Sequence, residues 1–211
     1  TKLRVLVTAG PTREYIDSVR YLSNDSSGRM GFALAEAAAR RGHRVTLIHG
    51  PVALERPEQV TTRPVVSARD MLVECLKAWP RHDVLVMAAA VADYTPARRR
   101  TTKMKKTQRG LALALKPTSD VLATLACDRR TRQIAIGFAL EDRNARRNAQ
   151  RKLRAKNLDA IILNRPTAIG ARRSQIEILV DGQPWRSLGQ ASKRASATTI
   201  MKMAETLAAG A

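Results

Sequence analysis

Aromatic side chains are scarce in this chain, at 3% of 211 residues. Proteins that hold single-stranded nucleic acid rely on aromatic stacking platforms, and so small a stock argues against one. Long apolar runs are missing too; none approaches the ~18 residues that a membrane-spanning helix needs. Cysteine is limited to Cys75 and Cys127, far apart and in no metal-ligand spacing. Both stand in apolar helical patterns and read as buried, reduced thiols, the usual habit of a free cysteine. That usage predicts a cytoplasmic protein. The chain enters an apolar strand pattern at Leu3, which predicts no secretory signal. His43, His49 and His82 are scattered, which argues against a metal cluster or a histidine-based triad. Only His49, at a strand end, is placed for function.

Two nucleotide signatures are also absent. There is no Gly-x-Gly-x-x-Gly and no Walker A sequence. The second strand ends Leu47-Ile48-His49-Gly50, without the acidic residue that holds a dinucleotide ribose. The missing glycine fingerprint and the missing acidic residue argue against a nicotinamide enzyme of the short-chain reductase type. Acidic residues number 18 against 38 lysines and arginines, a net charge of +20. Three readings of that excess stand. It neutralises nucleic-acid phosphates, it steers a highly anionic small substrate, or it is a basic surface with no specific partner. No helix-turn-helix, zinc-finger or RNA-recognition signature accompanies it, so nucleic acid is disfavoured. Arg143, Arg146, Arg147 and Arg151 read as a solvated helix face.

What is present is most telling between Leu3 and Gly50. The run Leu3 to Val7 ends in Thr8-Ala9-Gly10-Pro11-Thr12, and Ser26-Ser27-Gly28-Arg29-Met30-Gly31 precedes an alanine-rich helix over Phe32 to Arg41. Arg44 to Ile48 is a second strand. Strand, glycine-bearing loop, helix and strand open a nucleotide-binding βαβ unit. Its glycines let the backbone approach a phosphate, and the helix start offers free N–H donors. The intervening loop is long and polar where about 2–6 residues are usual, which marks it for chemistry.

Further along, Val60 to Val66 predicts a short strand. Ser67 caps a helix to about Trp79, with Asp70 as its capping-box partner. Asp83 to Ala88 has the continuous apolar pattern of a strand buried on both faces. Arg98 to Arg109 is basic and without periodicity, and Gly110 to Leu115 predicts a hairpin strand. Thr118 or Ser119 caps a helix over Asp120 to Ala126. Gln133 to Phe138 and Ala160 to Leu163 are strands, and Asn144 to Lys156 is a basic helix. Gln175 to Leu179 and the stretch around Trp185 form a hairpin about Asp181-Gly182. Ala191 to Leu207 is the last helix, with Ser192 as its N-cap. The alternation predicts one α/β domain over 1–211. Its sheet is doubly wound, mainly parallel and Rossmann-like, with helices on both faces and a C-terminal β-hairpin.

Ligands of such sheets bind beyond the carboxyl ends of the strands. The strand ends here carry Gly10-Pro11-Thr12, Ala89 to Asp93, Gly137-Phe138 and Asn164. Asp93 is a functional candidate, because a carboxylate directly after a core strand needs a partner. Ala89, Ala90 and Ala92 either admit a ligand or simply let loops pack. Phe138 either stacks on a base or fills the core. Lys103-Met104-Lys105-Lys106 is a basic loop able to close over a phosphate, or a solvated one. Lys152 and Lys156 share a helix face, where a polyphosphate would relieve the repulsion between two ammonium groups; a solvated basic face is the alternative.

Taken in order, these segments resemble phosphopantothenate–cysteine ligase, an enzyme family of coenzyme A biosynthesis, over nearly the whole chain. The resemblance rests on Thr8 to Glu14, Val19 to Gly31, Ala89 to Tyr94, Lys103 to Lys106, Gly137 to Glu141 and Lys152 to Asp159. It departs at Thr118-Ser119-Asp120-Val121, where the family often reads Asn-Pro-Asp-Ile, and at Tyr15 and Ser18, where prolines are common. The resemblance implies that CTP, carried with Mg2+, activates the carboxylate of 4'-phosphopantothenate as an acyl-cytidylate, which the amine of L-cysteine then attacks. It further implies that Asn24 stabilises that intermediate. Arg20, Ala89 and Ala90 bind substrate. Asp93, Thr118, Ser119, Asp120, Val121 and Phe138 contact the nucleotide. Lys103 belongs to a flap, and Lys152 and Lys156 hold the triphosphate. No metal site of the protein's own and no flavin in this domain are implied. A homodimer is, in which Arg20 serves the neighbouring subunit, and so is fusion or association with a flavin-dependent decarboxylase.

Overall fold

Val5, Leu6 and Val7 are wholly buried, as the first strand of a sheet covered on both faces must be. The structure, a computed structural model, describes residues 2–106, 108, 110–168, 170–171 and 173–210. The chain runs through β1 (Arg4–Ala9), β2 (Arg13–Tyr15), β3 (Tyr21–Ser23), α1 (Arg29–Arg40), β4 (Arg44–His49), β5 (Val60–Pro64) and α2 (Ala68–Ala78). It continues with β6 (Val84–Met87), β7 (Tyr94–Pro96), β8 (Leu115–Pro117), α3 (Val121–Cys127), β9 (Ile134–Leu140) and α4 (Ala145–Ala155). It ends with β10 (Ala160–Asn164), β11 (Arg173–Val180), β12 (Arg186–Ser192) and α5 (Lys193–Ala209).

Eight strands form one sheet in the order β12-β11-β10-β9-β6-β1-β4-β5. From β5 to β10 every pairing is parallel. The chain winds outward from β1 through β4 to β5, then returns to β6 on the other side of β1. The expected doubly wound sheet is therefore present, and its switch point lies between β1 and β6. Alternation along β1 divides the core. Val5 and Val7 pack with Leu34 and Ala38 of α1 and Ile200 and Met201 of α5. Leu6 packs on the other face with Met71 of α2, Leu125 of α3 and Leu153 of α4.

The expected C-terminal hairpin is β11–β12, antiparallel to each other and to β10. Two reversals leave β12 running parallel to β10, so α5 starts at the same sheet edge where β1 and β6 end. Caps are set as the sequence predicts at Ser67, whose capping box with Asp70 is complete, and at Ser192, which accepts from the Ala195 N–H at 3.2 Å.

Four local expectations are corrected. The cap of α3 is Asp120, which accepts from the Ala123 N–H at 2.9 Å, rather than Thr118 or Ser119. The strand expected over Gly110 to Leu115 forms at β8 instead, where Pro117 ends the ladder with β7. The long loop after β1 holds a small hairpin, β2–β3. Cys127 is exposed, because it is the last residue of α3 and lies past the apolar stripe; Cys75 is buried, and burial pushes its thiol pKa up to about 12.

Two features of the long loop's ends are testable. A Cβ on Gly31 would lie 2.4 Å from Ala9 Cβ and 2.9 Å from Thr8 O, so α1 seats on β1 only with glycine there. Gly31→Ala should destabilise the chain by about 1–3 kcal/mol, the usual range for overpacking, read by urea unfolding. Asp17, inaccessible to solvent, accepts from the N–H groups of Arg20 and Val19 at 2.8 Å each. Those bonds hold its pKa down at about 2, from 3.8. A depressed carboxylate stabilises the fold above its unfolded pKa and loses that contribution as pH falls through the folded one. Amide protection at Val19 and Arg20 should therefore fade between pH 3.8 and about 2, and Asp17→Asn should remove that acid-dependent step in hydrogen-exchange measurements.

Candidate active site

The loops leaving β1 and β6 are joined by extended backbone. Ala90 N–H donates to Gly10 O at 2.9 Å, and a parallel bridge links Pro11 with Ala90. Two buried hydroxyls complete the join: Thr8 Oγ1 accepts from Ala89 N–H at 3.2 Å, and Thr12 Oγ1 from Ala92 N–H at 2.9 Å. Beyond this seam lies a crevice with two lobes. The larger, about 570 Å3, is lined by the Asn24 to Gly31 loop, Ala88 to Val91, Phe138 and residues from β10 and α5. The smaller, about 240 Å3, is lined by Thr118 to Leu122 and Lys156. Both share Ala89, Val91, Asp93, Phe138 and Lys152, so the lobes meet there. A third cavity, of about 500 Å3, lies at the opposite edge among Lys2, Arg4 and Arg81. Its position is wrong for an open α/β sheet, whose ligands bind at the carboxyl edge.

The larger lobe receives the start of α1. Gly28 caps the helix at φ 74° with no side-chain cap bond, and the first turn holds no acidic residue. Its first N–H groups thus lack helical partners and carry the positive end of the helix dipole. Asn24 lies across the seam, with Nδ2 donating to Val91 O at 2.9 Å and to Ala90 O at 3.3 Å.

The lysine pair is not two facing, unpaired ammonium groups. Lys156 Nζ sits 2.5 Å from Asp120 Oδ2, while Lys152 Nζ donates to Phe138 O at 2.8 Å. Burial pushes the Lys152 pKa down, and the charge of Lys156 adds to that; the charges of Asp120, Glu141 and Asp93 oppose it. For Asp120, burial alone would raise the pKa, but the Lys156 bond and the Ala123 N–H outweigh it and the net shift is downward. The spacing that puts both lysines on one face also lets α3's cap neutralise one of them. The other is left as a half-buried cation where the lobes meet.

The remaining candidates divide by place. Asp93, Phe138, Ala89, Ala90 and the Thr118 to Val121 segment all line the crevice; Thr118 Oγ1 donates to Ala92 O at 2.6 Å, and Val121 is buried. Arg20 and Lys103 do not line either lobe. Arg20 is exposed and donates to Met104 O at 2.6 Å, tying the β2–β3 hairpin to the lysine loop. Lys103 is exposed in that loop, whose Met104 N–H is held by Asp17 at 3.1 Å. His49 also stays outside the lobes: Nδ1 bonds Gly50 O at 2.8 Å, the ring meets Phe32 edge-on at 5.4 Å, and Nε2 is buried with no partner among the described residues. Lys193 lines the larger lobe and was not singled out by sequence. It stands in a basic helix start that no motif marks.

The fold and crevice define a class: a doubly wound α/β protein with a crevice at its switch point. The chain belongs to the family described as DNA/pantothenate metabolism flavoprotein C-terminal domain, which it matches over residues 1–207. It is 47% identical over 168 residues to the Coenzyme A biosynthesis bifunctional protein CoaBC of Bacillus subtilis (strain 168), covering 79% of this chain and 41% of that one. It is 37% identical over 208 residues to the protein of the same name from Vibrio vulnificus (strain YJ016), covering 96% and 52%. The chain thus spans about half or less of the curated relatives it matches. The crystal structure of a CoaBC C-terminal domain superposes with a TM-score of 0.87 at 37% identity, covering 99% of this chain and 97% of that one. A Cab2 mutant in complex with phosphopantothenate-cysteine shares the fold, with a TM-score of 0.83 at 18% identity, covering 99% and 88%.

The lysines separate by experiment. Losing a charge-assisted bond costs roughly 1.5–3 kcal/mol, which is about tenfold to a hundredfold in affinity. With CTP–magnesium as the ligand that the resemblance implies, Lys152→Ala should weaken its binding by that factor in calorimetric titration, and Lys156→Ala, whose charge Asp120 already meets, should weaken it less. Lys103→Ala, outside the lobes, should leave that affinity close to wild type and slow turnover instead. A collapse confined to Lys103→Ala would reverse the assignment.

Proposed function

We propose that this chain joins 4'-phosphopantothenate to L-cysteine at the expense of CTP, the amide-forming step of coenzyme A biosynthesis. The observation that carries the reading is the two-lobed crevice. A helix start without a side-chain cap and a half-buried lysine face two lobes that meet, in a chain whose relatives are coenzyme A biosynthesis proteins. The neighbour solved with phosphopantothenate-cysteine, the product expected here, supports the same substrates.

The chemistry runs in two steps. A carboxylate oxygen of 4'-phosphopantothenate attacks the α-phosphorus of CTP; the acyl O–P bond forms, the bond to the β-phosphate breaks, and pyrophosphate leaves. The cysteine amine then attacks the acyl carbon. A C–N bond forms, the C–O bond breaks with its electron pair going to CMP, and the nitrogen gives up a proton. The chain's part is to place donors and cations where negative charge grows. The α1 start and Lys152 are set to hold phosphoryl oxygens. Asp93, Phe138 and Thr118 to Val121 contact the nucleotide. Small side chains at Ala89 and Ala90 leave their backbone open to substrate. Magnesium enters on CTP: among the described residues no group of three or more His, Cys, Asp or Glu could hold a metal, and this ion commonly binds through substrate phosphates and water.

The reading includes a homodimer. The hairpin carrying Arg20 packs beside β7; it exposes Val19 and Tyr21, while β7 and β8 expose Tyr94 and Leu115. An apolar face around an arginine that misses its own crevice is suited to delivering Arg20 to a second copy. Cytoplasmic location and a flavin-dependent decarboxylase as fused or associated partner belong to the same proposal.

A pyrophosphate-release assay with CTP and 4'-phosphopantothenate tests it, with release expected before cysteine is added. Salt-sensitive binding of DNA or RNA without any CTP-dependent release would favour a nucleic-acid protein instead. Asn24 supplies the sharpest variant. Its weaker bond, to Ala90 O at 3.3 Å, is the one exchanged for an oxygen of the acyl-cytidylate. Asn24→Asp replaces donors with a repelling charge, and losing such a donor costs about 10²–10³ in rate. Amide formation should suffer most, with acyl-cytidylate accumulating in a quenched single turnover. Full turnover would remove Asn24 from the mechanism.

A further inference from the structure

We propose that Lys193 forms a phosphoryl-anion subsite at the α5 end of the larger lobe, a role that rests on the ligase reading for its ligands. Topology brings it there. The β11–β12 hairpin reverses the chain twice, so α5 begins at the carboxyl edge, on the same face of the sheet as α1. Lys193, the first residue of α5, lines the lobe together with Asn164, Ala168 and Gly170.

Its chemistry is that of a cation with no counter-charge among the described residues. Nζ donates to Ala168 O and to Ser174 Oγ, each at 3.1 Å, and both acceptors are neutral. An ammonium has three donors, so one remains. No ion pair among the described residues includes Lys193, and burial alone pushes its pKa down. Its position compounds this. A cation in the first turn faces the positive end of the helix dipole, and α5 has no acidic residue there to offset it. Asn164 lines the same lobe, and among the described residues its Oδ1 is buried without a partner; as an acceptor it suits a donor group of the ligand rather than the anion itself. An anion seated against Lys193 supplies the missing charge and accepts the third N–H. The α1 start faces the same space with unpaired N–H groups, which suits an oxyanion with several acceptors, such as a phosphoryl group.

The test uses Lys193→Met and Lys193→Arg in calorimetric titrations with inorganic tripolyphosphate, CTP–magnesium and 4'-phosphopantothenate. Lys193→Met should weaken tripolyphosphate and at least one substrate by about tenfold to a hundredfold, and Lys193→Arg should recover most of the loss. Loss confined to CTP–magnesium places the nucleotide's phosphates at Lys193; loss confined to 4'-phosphopantothenate places its monophosphate there. Unchanged binding of all three probes, or an equal loss in the arginine variant, overturns the subsite. Thermal melts identify a misfolded variant, and Lys193→Gln then takes its place. Pyrophosphate release by the unaltered chain is measured alongside. Its absence defeats the ligase reading, while the tripolyphosphate titration still decides on Lys193.

Discussion

The seat of α1 on β1 governs the geometry of the whole crevice. With the helix backbone close enough that a Cβ on Gly31 would press on Ala9 and on Thr8 O, the first turn of α1 is brought over the strand end. Its unpaired N–H groups then sit beside the seam joining the β1 and β6 loops. That seam is itself short-range: backbone bonds from Gly10 to Ala90, and two threonine hydroxyls that accept from the opposite loop. Distances in the larger lobe are therefore set by hard contacts rather than by long side chains. This is the kind of preorganisation that charge transfer between oxygens requires.

The loop between β1 and α1 is long, yet it is anchored. Thr12, Glu14 and Asp17 are buried in it, and each is satisfied. Glu14 accepts from Ala68 N–H at 2.8 Å, fixing the β2–β3 hairpin to the start of α2. Asp17 accepts from Val19, Arg20 and Met104, so one carboxylate positions both the turn bearing Arg20 and the loop bearing Lys103. Burying a carboxylate is costly unless hydrogen bonds compensate it. Here the compensation couples two segments that lie far apart in sequence, which makes the hairpin and the lysine loop a single mechanical unit beside the crevice.

How much of this was legible in the sequence depends on the range of the interaction. Periodicity located the sheet and its helices because buried strands such as Val84–Met87 are apolar throughout and amphipathic helices repeat regularly. Capping chemistry is equally local, so Ser67 with Asp70 and Ser192 could be read directly. The cap of α3 was misplaced by one or two residues because Thr118, Ser119 and Asp120 are all competent caps. The choice fell to Asp120, which lies where Lys156 can also pair with it. That pairing is a tertiary fact, and it leaves one lysine paired with a carboxylate and the other a half-buried cation. Lys193 was invisible for the same reason: only the two reversals of the hairpin carry it to the crevice edge.

The net charge of +20 gains a physical meaning from how the acids are used. Asp83, Asp17, Glu36, Glu205, Glu74, Asp159, Glu177 and Asp120 are each engaged by a basic partner. The surplus therefore falls to cations such as Arg143, Arg147 and Arg151 on exposed surface. Those charges make a field, and at physiological salt that field decays over about 8 Å. It enriches any polyanion near the surface and cannot choose among them. On the proposed function, choice comes from groups that an anion meets at contact distance, among them the α1 start, Lys152 and Lys193. A nucleic-acid strand presents its phosphates along a line, whereas these three converge on a concave space of about 570 Å3. The shape of the crevice, and not the size of the charge, is what favours a compact phosphorylated ligand.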